Sequence, residues 1–275
     1  IERQFEEYLS GKDGWIVKQV NVAGRTGSFH KANYPKQDPD DGSNIQLTID
    51  LEYQSILQEE LQRRIDESGA KGAMGVLMDP QNGDILAMAS LPDFDLNNPN
   101  MTPLENQKNK VITDQFEPGS TFKIVAATAA LNTGKISLND EFNCEVGKFE
   151  FDGWTISDHE KFGVLTFPQI IANSSNVGVI KIAQISGKEP LYRLSRNYGF
   201  GTPTGISFPG ESQGILRQKK DWSKMSLASV SIGYEVGVTA LQIASAYSAI
   251  ANGGVLLKPQ IAVSYTHLRA HETNG

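Results

Sequence analysis

The stretch Phe116-Glu117-Pro118-Gly119-Ser120-Thr121-Phe122-Lys123 constrains this chain more than any other. Pro118 and Gly119 break whatever precedes them. The run Ile124-Val125-Ala126-Ala127-Thr128-Ala129-Ala130-Leu131 that follows is strongly helical until Gly134 stops it. Ser120 therefore falls in the first turn of a helix, and Lys123, three residues on, over the same face. The run is apolar nearly all round, so the helix is expected to be buried with only its N-terminal end open to a cleft. A buried lysine tends to lose its proton, because desolvation disfavours the ammonium form. Neutral Lys123 can then accept the Ser120 proton and make the hydroxyl a nucleophile, while N–H groups at the helix start suit a developing oxyanion.

Ser-x-x-Lys alone is a common pattern, whose ordinary reading is an exposed lysine on an ordinary helix. The Pro-Gly entry and the buried Ala-rich run fit that reading poorly, and a second site decides. Ala172-Asn173-Ser174-Ser175-Asn176-Val177 lies between two helical runs, where small polar residues can line a cleft. By itself its Ser-x-Asn is most often a helix cap. Paired with Ser120 and Lys123 it matters more, and the spacing (174 − 120 = 54) leaves room for a helical subdomain between them.

The 275 residues, 39% hydrophobic and 21% charged, suffice for one large domain or two modest ones with ample core. A net charge of −7 argues against nucleic acid as a partner. The single cysteine, Cys144, allows no internal disulfide and reads as a small buried residue. No apolar run approaches the roughly 20 residues needed to span a bilayer. The first residue is Ile1, in the middle of an amphipathic pattern, so the text reads as a fragment.

Residues 1 to about 40 are polar and turn-rich and close in a linker over 34–42. Ile45-Gln46-Leu47-Thr48-Ile49 alternates as a strand, and Asp50 is placed to cap an amphipathic helix over 51–68, with Tyr53, Leu57, Leu61 and Ile65 on one stripe. Two strands, 73–78 and 84–89, flank Asn82-Gly83, a hairpin signal. A Pro- and Asn-rich loop over 91–110 leads to the Ser120 helix, and 135–165 shows no clear period. Helices are expected from Thr166 to Ala172, over 177–185 and over 190–198, then a Gly- and Pro-rich stretch over 199–216. Thr239-Ala240-Leu241-Gln242 is a capping box for a helix ending at Asn252-Gly253-Gly254, and 255–257 looks like a strand. There is no internal repeat. Hairpin strands with helices clustered in mid-chain imply an α+β fold.

The two motifs resemble those of the penicillin-recognising acyl-serine enzymes. Thr113 to Lys123 is similar to the nucleophile segment of class B penicillin-binding proteins. Ser174-Ser175-Asn176-Val177-Gly178 is similar to their second motif in its division-type form. Gly233 to Gln242 resembles the family's late loop and helix, and Gly83 to Ala89 its early sheet hairpin. The likeness runs from about Asn44 to Lys258 and implies the penicillin-binding/β-lactamase-like transpeptidase fold, an antiparallel sheet flanked by helices plus a helical subdomain. It implies three segments: 1–43 as the end of a non-catalytic pedestal and linker, 44–263 as a transpeptidase domain truncated at its C-terminus, and 264–275 as an aberrant tail.

The resemblance implies a D,D-transpeptidase that cross-links peptidoglycan. Ser120 would attack the penultimate D-Ala carbonyl of a stem peptide, Lys123 would act as base, Ser174 would relay a proton to the leaving nitrogen, and Asn176 would orient Lys123 and the donor amide. β-Lactams would trap the same serine. No metal or cofactor is implied. The implied partners are stem peptides, β-lactams and membrane proteins of cell division and wall synthesis. The implied location is the outer face of the cell membrane, with the anchor outside these residues.

One departure matters. The family's third motif, Lys-Thr/Ser-Gly on a sheet strand, does not occur in the 275 residues, and Ser264 to Gly275 resembles nothing in the family, reading as translated adaptor or frameshifted sequence. The fragment is therefore expected to acylate poorly or not at all, since loss of one oxyanion donor typically costs about 10²–10³ in rate. Gly210-Glu211-Ser212-Gln213-Gly214 has the letters of a hydrolase elbow but lacks the strand before and helix after, so it reads as a surface turn. Asp158-His159-Glu160 reads as a solvated turn rather than a metal site. Neither His30 nor His159 stands in a triad context. The alternatives are a β-lactam-sensing or scaffolding domain of the same fold, a D,D-carboxypeptidase, or a β-lactamase. For the last, Glu211 lacks the Glu-x-x-Leu-Asn context.

Overall fold

The computed structural model describes residues 1–17 and 34–263. His30 and the tail over 264–275 lie outside the described residues. The chain divides into two compact units, one of Ile1–Thr48, Ser207–Pro209 and Ala262–Gly275, the other of Ile49–Ile206 and Gly210–Ile261.

In the smaller unit a single helical turn, Glu6–Leu9, precedes a two-residue antiparallel ladder in which Trp15 faces Gln37 and Ile16 faces Lys36. The strand expected over 45–49 does not form. Of that segment only Leu47 pairs, in an isolated bridge with Ala262. Alternation marks a segment that fits a pleated surface, but a ladder also needs a partner strand of matching length.

The larger unit carries the mixed architecture implied by the sequence. Helix α1 (Leu51–Ser68) starts where expected, with Asp50 Oδ1 accepting from Glu52 N at 2.9 Å and Tyr53 N at 3.1 Å. It lies on a hairpin of β1 (Ala73–Met78) and β2 (Ile85–Leu91), whose register runs from Ala73 opposite Leu91 to Met78 opposite Ile85. Alternate residues of β2, Ile85, Ala87, Ala89 and Leu91, are buried. Leu57 and Leu61 of α1 sit on Gly75, where an added Cβ would come within 2.8 Å of Leu57. The Gln54 amide spans the outer edge of β2, accepting from Met88 N at 2.8 Å and donating to Met88 O at 3.0 Å. Tyr53, placed on the apolar stripe by the sequence pattern, is exposed, because α1 lies on a two-stranded hairpin that covers only part of its face.

A helical core follows. Helix α2 (Lys123–Leu131) is preceded by a 3₁₀ turn over Gly119–Phe122, so the regular α-helix begins three residues later than Ser120. The segment over 135–165, without clear period in the sequence, forms two antiparallel ladders. Strand β3 (Glu141–Asn143) pairs with β6 (Val164–Thr166), and between them β4 (Lys148–Phe151) pairs with β5 (Trp154–Ser157). Strands this short carry too few alternations for a period to show. Helices α3 (Phe167–Ala172), α4 (Asn176–Ser186) and α5 (Lys188–Asn197) match the expected runs, and Thr166 N donates to Gln169 Oε1 at 2.9 Å at the start of α3.

Strand β7 (Ile215–Leu216) pairs with β8 (Val236–Gly237). Between them lies α6 (Lys224–Ser231), a helix the sequence reading did not single out. Its eight residues bury Leu227, Ala228 and Val230 with two serines, too short and too mixed a stripe to stand out. Helix α7 (Ala240–Ala251) carries the expected capping box, Gln242 N donating to Thr239 Oγ1 at 3.1 Å and Thr239 N to Gln242 Oε1 at 3.0 Å. No strand forms over 255–257; pairing resumes only at Gln260, bridged to Asp84. Phe122, Val125 and Ala126 of the nucleophile segment share one core cluster with Val177, Val179 and Ile182 of α4, so the same hydrophobic contacts hold both motifs. No described helix is long and apolar enough to cross a membrane.

Candidate active site

The Ser120 turn is clamped from one side by the segment over 233–238. Gly119 N donates to Gly233 O at 3.1 Å, and Phe116 and Val238 exchange N–H···O bonds of 3.0 Å each. Glu235 N donates to Glu117 Oε1 at 2.9 Å. The two backbones are so close that a Cβ on Gly233, whose φ is +84°, would stand 2.0 Å from Gly119 O. From α7, Tyr247 donates its hydroxyl to Thr121 O at 2.9 Å. Phe122 is wholly buried with its ring 5.0 Å from that of Phe200. Ser120 itself is exposed, and among the described residues its hydroxyl has no hydrogen-bond partner. A cleft of about 360 Å³ flanks the turn, lined by Phe116, Glu117, Ile215, Arg217 and Glu235 among others.

Lys123, three residues on, is buried, 2% exposed. Its Nζ donates to Ser174 O at 2.5 Å and to Ser174 Oγ at 3.0 Å. Burial pushes the amine down to about 8 from the usual 10.5, against an opposing pull from the Asp158 carboxylate. At pH 7 roughly one molecule in ten then holds a neutral amine, far more than an exposed lysine would. Lys123 thus reaches the second motif directly, and no hydrogen bond joins it to Ser120.

Ser174 sits between α3 and α4 with φ +54°, a left-handed conformation that costs a serine about 1 kcal/mol or more. Ser175 follows, fully buried, and caps α4 by accepting from Gly178 N at 2.9 Å. The expectation that Asn176 orients Lys123 is not met in this geometry. Its side-chain amide instead donates to Ser157 O at 2.9 Å, at the end of β5. The structure therefore brings Ser120, Lys123 and Ser174 to one end of α2 and turns the Asn176 amide toward the β4–β5 hairpin.

The residue missed is Asp158. It is not in a solvated turn: Oδ2 accepts from Ser175 Oγ at 2.7 Å, and Oδ1 accepts from Asn176 N at 2.5 Å and Val177 N at 3.1 Å. The only available signal was indirect, since a helix opening on Ser-Ser-Asn leaves N–H groups that need an acceptor. The Gly210 to Gly214 stretch is a turn, as the sequence implies. Ser212 Oγ accepts from Gln115 Nε2 at 2.5 Å and Gly214 N at 3.1 Å, closing a turn. Glu211 takes Thr204 N, Thr204 Oγ1 and Gly205 N, at 2.7, 2.5 and 3.0 Å.

Comparison with known proteins gives a consistent answer. Residues 73–274 match the penicillin binding protein transpeptidase domain, a span that runs into the residues outside the described structure. The chain is 37% identical over 256 residues to the probable peptidoglycan D,D-transpeptidase PbpC of Pseudomonas aeruginosa, covering 93% of this chain and 45% of that protein. It is 32% identical over 255 residues to the peptidoglycan D,D-transpeptidase FtsI of Escherichia coli K12, covering 93% and 42%. Penicillin-binding protein 3 of Mycobacterium tuberculosis, complexed with ampicillin, superposes with a TM-score of 0.75 at 32% identity over 94% of this chain and 54% of that one. The chain thus spans under half the length of these curated relatives.

Proposed function

The chain belongs to the transpeptidase domain family of the class B penicillin-binding proteins, and from that premise we propose that the protein is a peptidoglycan D,D-transpeptidase of cell division. The observation that carries this reading is the buried Lys123 amine, near pKa 8, bonded to Ser174 Oγ at 3.0 Å while Ser120, three residues earlier, stands exposed. Ser120 Oγ attacks the penultimate D-Ala carbonyl, and its proton passes to Lys123. Ser174, already bonded to Lys123, delivers its proton to the D-Ala nitrogen as the C–N bond breaks and takes one back from Lys123. An amine of a neighbouring stem peptide then attacks the Ser120 ester, forms the new amide bond and gives up a proton, and Ser120 Oγ leaves carrying a proton. Asn176 contributes by tying the second motif to β5, with its amide available to the donor peptide only if it leaves Ser157.

Further parts of the reading follow from the chemistry. A β-lactam acylates Ser120 because its ring mimics the D-Ala–D-Ala bond, as the ampicillin complex of the mycobacterial relative suggests. The substrate places the domain outside the cytoplasmic membrane, with membrane-bound division proteins as partners. Residues 1–43 serve as the end of a pedestal, and the transpeptidase domain begins at about residue 44. With no Lys-Thr/Ser-Gly tripeptide among the 275 residues, this chain by itself acylates poorly.

Fluorescent-penicillin labelling of the full-length protein and of this chain, each beside a Ser120→Ala variant, tests the proposal. Labelling of the full-length protein that vanishes with Ser120→Ala supports the serine. A full-length protein that never labels, or that supports growth equally well as Ser120→Ala, refutes the enzyme and leaves a scaffold. Stoichiometric labelling of the 275-residue chain removes the argument from the absent tripeptide.

A further inference from the structure

We propose that Asp158 is the positioning residue of the acyl-transfer site: its carboxylate holds the Ser174 turn against Lys123 by gripping Ser175 and the first backbone N–H groups of α4. The inference rests on the transpeptidase reading for the roles of Ser120, Lys123 and Ser174. Its geometric part stands on the contacts alone.

Ser174 occupies a backbone conformation that a serine disfavours, and its own anchors are few. Its N–H donates to Ile171 O at 3.1 Å, and its carbonyl and hydroxyl both accept from Lys123 Nζ. What keeps the turn in place is the residue after it. Ser175 is fully buried, accepts from Gly178 N at 2.9 Å and gives its own proton to Asp158 Oδ2 at 2.7 Å. The other oxygen, Oδ1, takes Asn176 N and Val177 N at 2.5 and 3.1 Å. Three donors from three successive residues thus converge on one carboxylate. Asp158 is itself fixed, its N–H donating to Gly147 O at 2.9 Å, and its neighbour Ser157 accepts the Asn176 amide at 2.9 Å. Moving Asp158 would release the start of α4, and Ser174 with it.

The same carboxylate acts on Lys123 through its charge, raising the basicity that burial lowers. Four of the other charges on helices packed against α2 have their own partners. Lys181 on α4 is paired with Glu145, Lys188 on α5 donates to Trp222 O, Glu189 on α5 is paired with Lys219, and Arg196 donates to the Phe200 carbonyl. Arg193 on α5 lines a separate cleft with Asn132 and Asn197, and Lys224 opens α6. Asp158 is thus placed to set both the distance from Ser174 to Lys123 and the pH at which Lys123 becomes a base.

The test uses Asp158→Asn, Asp158→Glu and Ser175→Ala in the full-length protein, with two readouts. One is the pH dependence of penicillin acylation. The other is the Lys123 Nζ titration followed by NMR on ¹⁵N-lysine-labelled protein, which needs no turnover and can be repeated on this chain. Asp158→Asn keeps an acceptor oxygen but removes the charge. It is expected to slow acylation about 10- to 100-fold and to move both the rising limb and the Lys123 titration to lower pH. Ser175→Ala is expected to slow acylation with the limb unmoved, and Asp158→Glu to bring the limb back.

Unchanged acylation and titration in Asp158→Asn overturn the proposal. So does a slower rate with an unmoved limb and a lowered melting temperature, which marks a merely structural residue. If the wild type never acylates, the transpeptidase reading fails, and the Lys123 titration alone decides whether Asp158 acts on the amine.

Discussion

The two turns that make up the site are held in opposite ways. The Ser120 turn is held mainly by backbone, Gly119 against Gly233 and Phe116 against Val238, with one bond each from the Glu117 and Tyr247 side chains, and residue 233 must be a glycine because nothing larger fits between the two segments. The Ser174 turn is held by a side chain, Asp158, that comes from a hairpin 16 residues earlier (174 − 158 = 16) and gathers three donors. The nucleophile, which must meet substrate at a fixed angle, thus stands mainly on a backbone mount. The residue that passes a proton stands on a charged one, where a single carboxylate governs both position and basicity.

The largest expected effect tests the backbone mount. Gly233→Ala forces a Cβ to within 2.0 Å of Gly119 O in a left-handed conformation, and should cost about 3 kcal/mol or more, read as a fall in melting temperature with loss of penicillin labelling. A variant that melts like the wild type would show that the two backbones can part. Asp158→Ala comes next. It leaves Ser175 Oγ and two N–H groups without their charged acceptor and should cost about 2–3 kcal/mol, against about 1 kcal/mol for Ser175→Ala. Equal losses from the two would mean that the carboxylate matters only through Ser175.

Lys123 sharpens the comparison through pH. Its folded value, about 8, lies below the ordinary 10.5, so between those two pH values the unfolded chain holds a proton the native chain has released. Stability therefore rises with pH across that window, and the full cost of the buried charge is present below pH 8. Lys123→Met should flatten that slope and stabilise the fold by about 1–3 kcal/mol at pH 7 while abolishing acylation, both readable by denaturant melts from pH 7 to 10.5. A slope unchanged by the substitution would assign it to another group. The smallest effect is expected from Ser174→Gly, which relieves the left-handed serine and should leave stability within about 1 kcal/mol of the wild type, although acylation falls. A large loss of stability there would show that the Ser174 side chain, and not Asp158, holds the turn.

By itself the sequence determined what short-range chemistry can write: the Pro-Gly entry to the Ser120 segment, the apolar run that buries Lys123, the Asp50 and Thr239 caps, and the Asn-Gly hairpin. These depend on residues within a turn of one another, so order in the text is order in space. Tertiary structure decided the rest. It turned the Asn176 amide to Ser157 and the Lys123 amine to Ser174, made two ladders of the patternless segment over 135–165, and denied ladders to the alternating stretch over 45–49 and the segment over 255–257. It also moved Asp158 from the solvated turn its neighbours suggest to the centre of the second motif. The physical reason is common to all of these. A strand exists only where a partner lies beside it, and a carboxylate finds its role in the donors that the folded chain brings to it, neither of which a local pattern can contain.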